Sequence, residues 1–210
     1  VKGRRQQINE DVKRRKPELI GVDGSSPGVG VTHFTVLLGN YMTGVMGRKT
    51  AVMEWNTSGA FGEIQEIYST RTVTNRQDQT FITYGVSYYK NAGRKELLEC
   101  QLRFDTVILD FGTYNGKVEE ELLRCDRKFF LGSFSEWRLR AFSEHISDKR
   151  VRDCGWEYFA AFGNKETAGM IKRFLKVQVS LIPWLPDAFV ITGEAMAFFE
   201  RLLKYKRDGN

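Results

Sequence analysis

Cysteine is scarce in this chain of 210 residues, and what little there is excludes whole classes. Cys100, Cys125 and Cys154 are scattered, with no CxxC pair. That pattern supplies neither a metal ribbon nor a disulfide frame, and it fits a reducing, cytoplasmic setting. No His or acid stands at a spacing that would make one of these thiols a nucleophile. Histidine is scarcer still: His33 is expected as a helix N-terminal residue and His145 as an exposed helical one. No apolar run reaches the ~18 residues that would span a membrane. The N-terminus is charged and has no apolar core of a secretory signal. Internal repeats and low-complexity tracts are absent. The net charge of +6 is too mild to establish nucleic acid or anionic lipid as a partner, although it permits either.

What is present is an ordinary globular composition, 41% hydrophobic and 28% charged, in a length that suits one domain with a sizeable core. Residues 1–17 form a basic tail (Lys2, Arg4, Arg5, Lys13, Arg14, Arg15, Lys16), and residues 18–210 a single domain. The tail reads as a solvated leader, or as a contact for an anionic surface.

The domain is organised around residues 18–40. Leu19, Ile20 and Val22 read as a buried strand. A Gly/Ser/Pro loop follows, and then apolar residues at helical spacing (Phe34, Leu37, Leu38, Tyr41) predict a helix over 31–46. Strand, glycine-rich loop and helix make an anion cradle: loop N–H groups turn inward over the positive end of the helix. Gly28, Gly30 and Thr32 read as phosphate contacts, or as a tight turn with Thr32 as a helix cap. The helix carries interior glycines, Gly39 and Gly44, which suit close packing on a sheet.

Further along, a strand is predicted at 50–55 and a short helix around Phe61, Ile64, Ile67 and Tyr68. Residues 70–91 are rich in Thr, Tyr, Gln and Asn, with short strands around Gly85 and the character of an edge insertion. Residues 105–110 form a buried strand ending in Asp110, with 111–116 as the loop beyond it. A helix follows at 117–125, a strand at 128–131, and an amphipathic helix at 136–146 carrying Trp137, Ala141 and Phe142. Then come a strand at 156–162, a helix at 165–175, a strand at 177–182 and a last helix at 193–206. Pro183 and Pro186 stop the final strand and hold Trp184 in a loop, as a pocket wall. This alternation predicts an α/β three-layer sandwich with a mostly parallel sheet, ligands binding outside the carboxyl ends of the strands.

Five segments in register resemble the MinD/ParA-type P-loop ATPases, over roughly residues 18–205. Ser26, Pro27, Gly28, Val29, Gly30, Val31 and Thr32 align with the family's deviant Walker A motif. Glu54 to Asn56 resembles the acidic turn after the second strand, and Phe104 to Asp110 the Walker B strand. Cys125 to Leu131 resembles the following strand of the family. Asn164 matches the Asn that reads adenine, and Ile182 to Pro186 the proline segment near the base. The resemblance implies ATP or ADP with Mg2+, the metal held by Thr32 and Asp110, and the nucleotide by residues 26–32, Asn164 and Pro183. It also implies a face-to-face homodimer, a protein partner, and membrane contact through the tail or the C-terminal helix (Phe198, Phe199, Leu202, Leu203), unless that helix simply covers the sheet.

The departures are as informative. Ser26 replaces the signature lysine and Val31 the Walker lysine, and Asn56 stands where an acid positions the attacking water. Phosphoryl transfer requires positive charge where negative charge develops. Glu54 keeps an acid nearby, yet the set predicts a pseudo-ATPase: a non-hydrolysing or very slow positioning or scaffolding factor, similar in role to relatives that localise pilus or secretion machinery. The alternatives are a genuine slow ATPase with a cation from Arg48, Lys49 or a partner, and a DNA-partitioning protein. The expected location is the cytoplasm, with peripheral contact at the membrane.

Overall fold

The computed structural model describes residues 16–68, 78–116, 120–148 and 154–204. The basic tail up to residue 15, residues 70–77 of the insertion, residues 117–119 of the expected 117–125 helix, and the end of the last helix lie outside the described residues.

Among the described residues, eight strands form one sheet: β1 (Glu18–Gly24), β2 (Thr50–Glu54), β3 (Thr80–Thr83), β4 (Val86–Tyr89), β5 (Thr106–Thr113), β6 (Arg127–Ser133), β7 (Trp156–Ala161) and β8 (Val179–Leu181). Their order is β3-β4-β2-β5-β1-β6-β7-β8. Every pairing is parallel except β3 with β4. Those two make a hairpin at one edge, turned by Tyr84 (φ 49°) and Gly85 (φ 78°). Two consecutive positive φ angles are the geometry of a tight two-residue hairpin.

Parallel strands buried on both faces should read as continuous apolar runs. β1 and β2 do: six of seven residues and all five are buried. The helices are α1 (Val31–Gly44), α2 (Ala60–Tyr68), α3 (Arg94–Arg103), α4 (Glu120–Leu123), α5 (Glu136–Ser147), α6 (Lys165–Leu175) and α7 (Gly193–Lys204). α1, α2 and α7 share one core with Ile20, Val52, Ile108 and Phe159. α3, α4, α5 and α6 share the other with Leu19, Met53, Leu109 and Phe130. The result is the expected three-layer α/β sandwich.

Four local expectations are corrected. α3 was not foreseen: its stripe is thin, with only Leu97 and Cys100 buried. β5 does not stop at Asp110 but runs on through Thr113, after a register shift against β1 between Val22 and Asp23. On α5, Trp137 faces solvent (79% exposed), and the buried set is Phe142, His145 and Ile146. Gly39 does let α1 approach the sheet, since a Cβ there would lie 2.7 Å from Val52 Cγ2; Gly44 has open space around it and packs on nothing.

The C-terminal helix covers the sheet. Phe198 and Phe199 are buried against Phe34, and Phe199 also meets the Tyr41 ring. Buried Arg127 fastens it: the guanidinium pairs with Glu157 and donates to the Leu202 carbonyl at 3.1 Å. Its aromatic face is therefore spent on the core rather than free for a bilayer. No helix among the described residues is long and apolar enough to cross a membrane.

Candidate functional site

β1 lies between β5 and β6, so the loop leaving it opens at the carboxyl edge where neighbouring strands connect in opposite directions. That crevice is where ligands sit in open α/β sheets. The loop turns sharply because Gly28 (φ 74°) and Gly30 (φ 97°) take up left-handed conformations. The Ser25 N–H donates to the Leu131 carbonyl of β6 at 2.8 Å, and Gly30, not Thr32, caps α1, accepting from Phe34 N at 2.8 Å. Space around Gly30 is open, and the Ser25 and Ser26 hydroxyls have no protein partner. Pro27 is exposed, whereas Val29 and Val31 are buried. Their Cγ2 atoms lie 2.8 and 2.5 Å from where a Cβ on Gly24 would stand. Val31, which the sequence aligns with the Walker lysine, is thus a core side chain.

Asp110 faces this junction from the adjacent β5 and is fully buried. Its Oδ1 accepts from the Gly112 N–H at 2.9 Å and the Asn56 amide at 3.0 Å. Its Oδ2 makes no well-formed hydrogen bond, although the Thr32 hydroxyl is close enough to favour the charged form. Burial pushes the carboxyl up to about 6; the nearby Thr32 hydroxyl and Gly112 N–H pull it down, and the Glu54 charge adds to the rise. A buried oxygen left open beside a threonine hydroxyl suits a hard cation. Thr32 and Asp110 would hold Mg2+ together with phosphate oxygens, where the ion would neutralise phosphate charge. Among the described residues no group of three His, Cys, Asp or Glu could bind a metal without such help.

Asn56 and Glu54, read from the sequence as the switch position, both carry structural contacts. Asn56 donates to both the backbone carbonyl and the carboxylate of Asp110 and accepts from Ser58 N at 2.8 Å. Glu54, 1% exposed, accepts from the Ser58 hydroxyl, Phe61 N and Asn91 N. It ties β2 to the start of α2 and to the turn after β4, so most of its acceptor capacity is spent on these contacts.

Two clefts of about 450 Å3 flank the junction. One is lined by Asp23, Asn56, Ser58, Gly112 and Asn115. The other is apolar, lined by Gly28, Gly30, His33, Phe162, Pro183 and Trp184 among others. Trp184 is its wall, 5.8 Å from Phe162, and remains 71% exposed. Pro183 therefore joins the loop glycines in one cleft. Asn164 does not line it: its carboxamide oxygen caps α6, accepting from Thr167 N at 2.8 Å.

The proposed substitute cations Arg48 and Lys49 are at the wrong end of the sheet. They precede β2, and Arg48 pairs with Glu18 at the start of β1, the full length of that strand from the loop. The residue missed by sequence reasoning is Arg138, in the first turn of α5. Its Nη1 donates to the Gly28 carbonyl at 2.8 Å across a separation of 110 residues, which no local pattern announces. His145 was also misjudged. It is buried, stacked on Phe130 at 3.4 Å, and ringed by Tyr114, Trp156 and Tyr158.

No protein-family model matches the chain, and no curated protein sequence does. Solved structures do. The MinC:MinD cell division protein complex of Aquifex aeolicus aligns with a TM-score of 0.63 at 13% identity, over 89% of this chain and 96% of that one. A plasmid partition protein from Borrelia burgdorferi B31 bound to AMPPNP gives 0.62 at 13%, over 91% and 100%. The septum site-determining protein MinD complexed with Mg-ADP, from Pyrococcus horikoshii OT3, gives 0.60 at 12%, over 90% and 96%.

Proposed function

The chain has the fold of the MinD/ParA-type P-loop ATPases, and from that premise we propose that it is a nucleotide-binding protein of this kind that acts by the state it adopts rather than by rapid hydrolysis. The observation that carries the reading is the loop itself. The strand-to-helix anion cradle is kept, with open space above Gly30, while Val31 is packed into the core where a phosphate-contacting lysine would stand. An apolar cleft of about 450 Å3, roomy enough for a base, adjoins the cradle, and a buried Asp110 oxygen is left without a hydrogen bond. Together they suit ATP or ADP with Mg2+.

The hydrolytic side is poorer. Asn56 cannot accept a proton, and Glu54 is committed to three loop contacts. Neither loop lysine is present to stabilise developing charge. A protein so equipped serves as a positioning or scaffolding factor whose nucleotide sets its shape, as a homodimer or with a protein partner. Solved structures of this fold include one MinD in complex with MinC and a plasmid partition protein.

Calorimetry with ATP and Mg2+, followed by a phosphate-release assay, tests both halves. We expect saturable binding with negligible release. Turnover of about 1 s⁻¹ or faster, an ordinary enzymatic rate, overturns the pseudo-ATPase reading. Absence of any ATP binding overturns the nucleotide reading altogether.

A further inference from the structure

We infer that Arg138 is the phosphate-charge donor of this site, a cation supplied in cis by α5 in place of the two absent loop lysines. The inference rests on the nucleotide reading above and names the residue on which that reading depends electrostatically.

The fold places it there. β6 runs parallel to β1, with Leu131 opposite Gly24, and the Ser25 N–H is bonded to the Leu131 carbonyl. β6 therefore ends beside the loop. The turn through Phe134 and Ser135 leads straight into α5, whose first turn must then stand against the loop. Arg138 is on that turn, its own N–H bonded to the Ser135 carbonyl at 2.9 Å. The guanidinium meets Gly28 edge-on, its terminal nitrogens leading: Nη2, Nη1 and Cζ would be 3.1, 3.6 and 3.8 Å from a Cβ at that position. Gly28 thus suits its place twice, for its left-handed backbone and for the close approach of the guanidinium.

Charge decides what the contact means. Three buried acids crowd the carboxyl ends of the central strands: Asp23 (4% exposed), Glu54 (1%) and Asp110 (0%). A polyphosphate entering a cradle floored by carboxylates meets repulsion that loop N–H dipoles alone must offset. Among the described residues Arg138 is the basic side chain hydrogen-bonded to the loop, and it forms no ion pair there. One of its five N–H groups is used on the Gly28 carbonyl, which fixes the plane and leaves a fork suited to phosphate oxygens. An Arg held only for structure at a carbonyl would gain as much from a nearby carboxylate, and its neighbour Arg140 takes that option with Glu144 at 2.8 Å.

The test uses the whole chain and calorimetric titration with ATP and with AMP in Mg2+ buffer, for wild type, Arg138→Ala, Arg138→Lys and Arg140→Ala. A charge-assisted hydrogen bond predicts that Arg138→Ala weakens ATP about 10- to 100-fold and AMP several-fold less. Arg138→Lys keeps the charge and recovers part of the loss, and Arg140→Ala changes ATP affinity less than about threefold. Unaltered far-UV circular dichroism shows that the variants are folded. If wild type binds ATP and Arg138→Ala binds it equally well, or if Arg140→Ala is as damaging, the assignment to Arg138 is overturned while nucleotide binding stands. If wild type binds no ATP, the failure belongs to the nucleotide reading.

Discussion

Asp110 holds a tension that can be measured. Its carboxyl is raised from 3.8 to about 6, so the folded chain favours the protonated form. The sign follows: this group's contribution is fully present below pH 3.8 and is lost as pH rises through 6. At pH 7 the ionised acid costs up to about 3 kcal/mol. Asp110→Asn keeps the Gly112 and Asn56 acceptor and removes the charge, so chemical denaturation at pH 7 should show a gain of about 1–3 kcal/mol. The same variant should lose Mg2+-dependent nucleotide binding in calorimetry. Stability and ligand affinity moving in opposite directions is the signature of a carboxylate retained for a ligand.

His145 works the other way. Enclosed by Phe130, Tyr114, Trp156 and Tyr158, with no partner on either ring nitrogen, it is lowered from 6.5 to about 4 by burial. The neutral form is favoured, so its contribution is present above pH 6.5 and lost as pH falls towards 4. That amounts to about 3 kcal/mol. His145→Phe should flatten this component: between pH 7 and pH 4, wild type should lose about 3 kcal/mol more than the variant in urea unfolding. Equal slopes would show that the imidazole is not held neutral by its cage.

At the scale of elements, the two glycines of α1 separate packing from propensity. Gly39→Ala would drive a methyl group to within 2.7 Å of Val52 Cγ2 between helix and sheet, and should cost about 1–3 kcal/mol by thermal denaturation. Gly44→Ala meets nothing within 4 Å, and should be neutral or stabilise by up to about 1 kcal/mol. α5 shows how an element is fixed by neighbours its own pattern does not reveal. Its apolar periodicity gave the helix and the buried Phe142 but misplaced Trp137, because Trp137 outweighs His145 in a hydropathy count. The Phe130 ring decided otherwise, stacking on the imidazole and leaving the indole in solvent. α3 was illegible for a related reason: two buried residues in ten, with Leu98 and Leu102 exposed, make no clear stripe.

For the molecule as a whole, ligand linkage is the decisive readout. If the site takes Mg-ATP in the folded state only, nucleotide at about 100 times Kd should add about 2.7 kcal/mol, and scanning fluorimetry should record a rise of about 5–10 °C. Binding of that strength joins α1, β6 and α5 through one ligand, because all three meet at the loop.

The sequence by itself determined the layered α/β frame. Continuous apolar runs and glycine-rich breaks are local signals, and strands β1, β2, β6 and β7 with helices α1, α2, α6 and α7 follow from them. It also shows Ser26 and Val31 where the motif it resembles carries lysines. Only the tertiary structure decided which charged side chains meet at the loop. Arg138 reaches Gly28, Glu54 is spent on loops and Arg48 is carried to the far edge because strand order, not chain order, sets which side chains share an end of the sheet. Those juxtapositions depend on long-range pairing, which no window of sequence contains.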